Sequence, residues 1–265
     1  MTLLVLFLVG LAVGATTVLF GFGGGFVTVP IILIVDASRG GDAVRIAVAT
    51  SALVMVVNAV IATASTRRST LKHLRGRRVL FVLLALGGAA GATAALFVPD
   101  TVPRWGFVAY IAVTVVDLLL RPGFLPRRVT LEPAREVAGR GLPNAWGAPI
   151  GTISSFLGVG GSVMTVPMMR RSGMELSLAA SLANPLTIAI ATPAMMVAFA
   201  FGGEVASGPG LVGTVDVASA LALLAGAAPV IVLLRRRPPR IPEAVHGWAY
   251  VALLVVAATT VALTG

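Results

Sequence analysis

The sequence predicts an all-α polytopic membrane protein with about eight apolar helical segments in two homologous halves, and three observations carry that prediction. Hydrophobic residues make up 57% of the 265 residues and charged ones 11%, with a mean hydropathy of +0.99, too little polar surface to coat a water-soluble globule of this size. The apolar residues run in windows of about 18 or more, the length a helix needs to cross hydrocarbon. A shift of 137 positions lays one half of the sequence over the other.

In chain order the apolar windows fall near 3–20, 44–64, 79–98, 104–120, 178–200, 214–234 and 246–264, with an eighth apolar region over 144–169. The first window has no basic residues ahead of it and runs past any small-residue cleavage site, so it is expected to stay in the mature protein. Residues 121–142 hold five arginines, two glutamates and three prolines. They read as solvated chain, which divides the protein into a first membrane repeat, 1–125, a cytoplasmic linker, 126–142, and a second membrane repeat, 143–265.

The shift that relates the halves brings Gly14 onto Gly151. It also aligns Gly21, Gly23, Gly24, Thr28, Val29 and Pro30 with Gly158, Gly160, Gly161, Thr165, Val166 and Pro167. Glycines cost about 1 kcal/mol each inside a helix, and four of the five residues 21–25 are glycine, with Pro30 following. Each half therefore opens with a glycine-broken helix or a re-entrant hairpin. Irregular backbone at membrane depth is tolerated only where protein or a wet cavity satisfies the freed amides and carbonyls. Matching breaks in two halves point to a transport site. The scattered Gly87, Gly88 and Gly91 read instead as close helix packing.

The net charge of +10 would suggest nucleic acid only if the basic residues formed one patch on a soluble domain. They lie between the apolar segments or at their edges, so nucleic-acid binding is excluded and the charges report orientation. If each broken segment crosses once, eleven basic residues fall inside and nine outside, which is no bias. If each returns to its starting side, seventeen fall inside, and only Arg39, Arg45 and Arg104 fall outside. The second count expects inverted repeats, the first half beginning outside and the second inside.

The chain has no cysteine, and His73 and His246 stand alone, so disulfides, metal sites and cysteine nucleophiles are not expected. Asp36 and Asp42 read as a solvated turn, each with an arginine three residues on. Asp117, the one acid inside an apolar segment, is expected to pair with Arg121 one helical turn later. No catalytic constellation emerges and no cofactor is expected; the chain does not read as an enzyme. Uncharged polar groups are better placed. A glycine loop followed by a helix start offers amides and a positive dipole end to an anion without any charged side chain. The candidate substrate-binding residues are Gly23, Gly24, Gly25, Thr28, Thr50 and Ser51 in the first half, and Gly160, Gly161, Ser162, Thr165 and Asn184 in the second. Asn184 precedes Pro185 within an apolar helix, a third break that frees a carbonyl. Met164, Met168, Met169, Met195 and Met196 read as packing.

The motifs G-F-G-G-G-F-V-T-V-P at 21–30, G-V-G-G-S-V-M-T-V-P at 158–167 and A-V-A-T-S at 47–51 resemble the TauE/SafE sulfite exporter family over nearly the whole chain. The second copy departs from the first with Ser162 in place of Gly25 and with A-A-S-L-A-N-P at 179–185, which lacks a Thr-Ser pair, so the motif does not carry over cleanly onto Ser181. The resemblance implies a cytoplasmic-membrane, multi-pass permease that exports a small anion such as sulfite, a sulfonate or a related oxyanion. Its expected partners are the bilayer and that anion, with a homo-oligomer left open. The competing readings are a transporter of another organic acid or neutral solute, and a membrane-embedded enzyme.

Overall fold

The computed structural model describes residues 2–35, 43–99, 101–121, 124–125, 142–201, 210–212 and 214–263. The linker expected at 126–142 lies outside them except for Leu142, as do Asp36, Arg39 and Asp42. The described helices are α1 (Thr2–Phe20), α2 (Gly25–Val35), α3 (Ala43–Ala64), α4 (Arg68–Leu71), α5 (Arg78–Ala95) and α6 (Thr101–Leu120) before the linker. After it come α7 (Gly147–Phe156), α8 (Ser162–Arg171), α9 (Leu176–Phe201), α10 (Val217–Arg236) and α11 (Glu243–Leu263). A short antiparallel pair, β1 (Leu211–Val212) and β2 (Val215–Asp216), precedes α10.

Among the described residues seven helices, α1, α3, α5, α6, α9, α10 and α11, are long and apolar enough to cross a bilayer, and they coincide with the seven predicted windows. The eighth apolar region is not one helix. It divides at its glycines into α7 and α8, ten residues each. Such a helix is about 15 Å long, half the thickness of the hydrocarbon core. The halves are also unequal, because α1 has 19 residues where the corresponding α7 has ten. Helix α10 starts three residues later than its apolar window. Asp216 caps it, accepting from the Ser219 amide at 3.1 Å and the Ser219 hydroxyl at 2.6 Å.

Both broken segments turn back. Leu6 near the start of α1 and Ile32 near the end of α2 share one buried cluster with Ala47, Ala220 and Leu223. At the opposite end, Arg77 ahead of α5 donates to the carbonyl of Leu142 ahead of α7 at 2.9 Å. The Arg171 guanidinium at the end of α8 meets the Asp117 carboxylate near the end of α6 at 2.6 Å. The neighbouring Arg170 meets Glu243 at the start of α11 at 2.7 Å. Trp146 and Trp248 lie half-exposed at this arginine-rich end and Trp105 at the other, as interfacial tryptophans do.

The packing crosses the linker. Helix α1 lies along α10 and α5 along α7, while α3 meets α9 and α6 meets α11. Glycine makes the first two seams. A methyl group on Gly10 or Gly14 would overlap the carbonyl oxygens of Leu223 or Ala227, and one on Gly226 would overlap that of Phe7. In the second seam Gly87 and Gly91 meet the carbonyls of Ala148 and Thr152, and Gly151 meets that of Leu84. Lipid supplies no hydrophobic drive between helices, so this backbone-to-backbone approach and its dispersion energy hold the seams. Gly91→Val or Gly226→Val should therefore cost about 1–3 kcal/mol by overpacking. Thermal unfolding in detergent checks this against Gly106→Ala, whose methyl would meet only the end of the Leu157 side chain; equal midpoints for all three would contradict it.

Candidate functional site

The two glycine loops meet between α3 and α9. Helix α1 ends at Phe20 because Gly21 and Gly23 turn to φ +76° and +63°, where a side chain is strained. Gly158 and Gly160 repeat the turn at +68° and +64°. After each loop the helix restarts in the same way: Thr28 donates its amide to the Gly24 carbonyl at 3.0 Å, and Thr165 donates to that of Gly161 at 2.9 Å. The equivalence ends at the third glycine, for Gly24 is left-handed at +97° while Gly161 is right-handed at −70°. A methyl on Gly161 would overlap Ile190 Cδ1, so Ile190 would have to turn aside to admit one.

Met55, midway along α3, and Thr187, midway along α9, sit at the junction. A methyl on Gly23 would lie 3.0 Å from Met55 Cγ and 3.2 Å from Thr187 Cγ2. One on Gly160 would lie 2.7 Å from Met55 Sδ, 3.5 Å from Thr187 Cγ2 and 3.8 Å from the Phe22 carbonyl of the other loop. Gly25 also faces Met55 Sδ, at 2.6 Å from a methyl position, so a side chain there would have to displace the thioether.

Side chains of distant helices reach the carbonyls at the end of α1, one of them freed by the break. With α1 ended, the Leu19 carbonyl receives His246 Nε2 of α11 at 2.7 Å, which places the ring proton on that nitrogen. The Thr17 carbonyl receives the Gly21 amide at 3.1 Å and Asn184 Nδ2 at 3.4 Å. Phe20, Phe22 and Phe124 close around Tyr250, with ring centroids 5.7, 5.1 and 5.1 Å from it.

Beside the loops lie side chains with nothing to bond. Both polar atoms of Asn58 are buried without a partner, and its Nδ2 lies 2.9 Å from where a methyl on Gly24 would be. The hydroxyls of Ser51, Ser154, Ser162, Thr165 and Thr187 and the Oδ1 of Asn184 are likewise buried and unpartnered. An unpaired polar group in a low-dielectric interior costs about 1–3 kcal/mol, and a cluster of them calls for a polar guest. The site is uncharged: the buried ionisable groups among the described residues are Asp216, which caps α10, and His246, which caps α1.

Gly23, Gly24, Gly25, Gly160, Gly161, Ser162, Thr165 and Asn184 thus fall at or beside the loops. Thr28 is buried there too, with its hydroxyl donated to the Gly25 carbonyl at 3.3 Å. Thr50 lies elsewhere, its hydroxyl accepting the Asp216 amide at 3.0 Å. Ser51 is buried on the stripe that continues through Met55 and Asn58, at i, i+4 and i+7 along α3. Asn58, Met55 and Thr187 join them, Asn58 and Thr187 being two of the uncharged polar groups that the sequence sets inside apolar segments and Met55 an addition. The spacing of the first two from Ser51 was visible, and Thr187 falls on Thr50 under the same shift that aligns the glycines. Ser181 accepts a hydrogen bond from Arg235 and is not at the loops. Asp117 pairs with Arg121 at 3.1 Å as expected, and it also holds Arg171.

Paired broken segments meeting inside a bundle of spanning helices, around buried and unpaired polar groups, are the architecture of a membrane transporter. The chain belongs to the family described as Sulfite exporter TauE/SafE, which it matches over residues 6–261. No curated protein and no solved structure matches it.

Because Asn58 has no protein partner, Asn58→Leu should leave stability within about 1 kcal/mol of the parent. Asn184→Leu, which gives up bonds to Thr17 and Ala180, should unfold at a lower temperature. Differential scanning fluorimetry of the two variants separates them.

Proposed function

We propose that this protein exports a small oxyanion, such as sulfite or a sulfonate, across the cytoplasmic membrane, and that the anion binds where the two glycine loops meet. The observation that carries the reading is the unpaired set, Asn58, Ser162, Thr165 and Thr187, gathered beside two helix starts with no charged side chain among them. Helices α2 and α8 each bring about half a positive charge to their first turns, and a weakly held anion can leave as readily as it enters. A full cation at this depth would bind too well. Membrane potential, inside negative, favours outward movement by about 2.3 kcal/mol per charge per 100 mV.

Inverted repeats fit the reading. The glycine turns match at two of their positive-φ positions, and exchange of the halves maps α1 on α10 to α7 on α5. The arginine-rich end, with Arg77, Arg121, Arg170 and Arg171, is then cytoplasmic and the Arg104 end external. Reporter fusions after Val35 and after Arg171 should signal outside and inside respectively; a cytoplasmic signal at Val35 would overturn this orientation.

Proteoliposome flux across sulfite, sulfate, thiosulfate, sulfonates and small carboxylates tests the function. Asn58→Ala and Thr187→Val should each lower the flux of the preferred anion by about tenfold, the loss of roughly 1.4 kcal/mol of interaction. Flux confined to neutral solutes would refute the anion.

A further inference from the structure

We propose a second oxyanion site, a cationic antechamber at the arginine-rich end, in the groove between the end of α3, the α4 turn and α9. The groove has a volume of about 390 Å³ and is lined by Thr63, Arg68, Leu71, Lys72, Arg75 and Pro185, among others. Arg68 opens the short α4, Lys72 follows in a single 3-10 turn and Arg75 ends that turn in an extended conformation; all three border the one groove, where like charges repel. Among the described residues no carboxylate pairs with any of the three. Orientation in the membrane needs positive charge at this end, and Arg67, Arg77 and Arg78 supply it; orientation does not need three cations to line one cavity.

The groove's walls are largely the apolar parts of its lining residues, with polar groups at its edge and behind Pro185. The Thr63 hydroxyl is buried and unpartnered. Pro185 has no amide to give the Ser181 carbonyl one turn earlier. Ser181 in turn holds Arg235, whose Nε and Nη2 are buried without a partner. Beyond Pro185 the next residue is Asn184, which bonds the last turn of α1 at the first glycine loop. An oxyanion in the groove would relieve the repulsion and wait one residue from the loops. That role rests on the proposed anion transport, whereas binding in the groove does not.

The same chemistry could come from a free anion or from a lipid phosphate, and labelling distinguishes them. The chain has no cysteine, so Leu71→Cys places a single thiol in the groove, with Leu74→Cys as a second position should the first not fold. In phosphatidylcholine nanodiscs, sulfate should slow maleimide labelling, and the Arg68→Gln/Lys72→Gln/Arg75→Gln variant should abolish that protection. Protection without sulfate in phosphatidylglycerol nanodiscs, lost in the same variant, would assign the oxyanion to lipid. Labelling that neither anion slows, or protection that survives neutralisation, would overturn the site. In flux assays the triple variant should raise KM by about tenfold, the low end of what charged clefts contribute to local ion concentration, with the maximal rate kept. Asn58→Ala should weaken transport too but leave groove protection intact, so labelling tells failure at the loops from failure at the groove.

Discussion

Carbonyls and amides released where a helix breaks inside hydrocarbon cannot be left to lipid, and the arrangement of this protein answers that demand. The Leu19 carbonyl would have bonded the amide of residue 23 had α1 continued; His246 reaches it from α11 instead. The Thr17 carbonyl keeps the Gly21 amide and takes Asn184 from α9 as a second donor. Each contact fixes a helix from the other side of the linker against the break. The aromatic cluster around Tyr250 then seals the first loop from the membrane. Once the backbone is provided for in this way, the uncharged side chains Asn58, Ser162, Thr165 and Thr187 still lack partners, and they stand beside the two loops.

The two copies have diverged where they touch. Gly25 faces Met55, and Ser162 stands at the corresponding place in the second copy with its hydroxyl free. Gly24 lies against Val13, Asn58 and Thr17, Gly161 against Ile190 and Ile150. One loop is flanked by both apolar and polar groups and the other by apolar groups at this position, so the two sides of the site differ even though the folds around it are related. Met55 fills the junction with a flexible thioether, a side chain that can change rotamer without losing a hydrogen bond.

Apolar run length located all seven spanning helices, because twenty residues of hydrocarbon length leave little ambiguity. The glycine pattern located both breaks, because φ near +60° is a demand on residue type and so is written in the sequence. What could not be read was set by contacts between distant segments. The role of His246 depends on a carbonyl 227 residues away. Thr50 resembles a site residue by motif, yet it faces the turn at Asp216, and no local pattern distinguishes one side of α3 from another when both are buried. The division of 144–169 into two half-length helices was implied by Gly158 and Gly160, but mean hydropathy alone does not register a turn.

The glycine seams bear on motion. Where backbone lies against backbone, there is no layer of side chains to slide or repack. Helices α1 and α10 therefore travel together, as do α5 and α7, although each pair joins segments from opposite sides of the linker. Each seam is thus built from parts of both repeats, and a single repeat made alone would expose a bare glycine furrow with nothing to fill it.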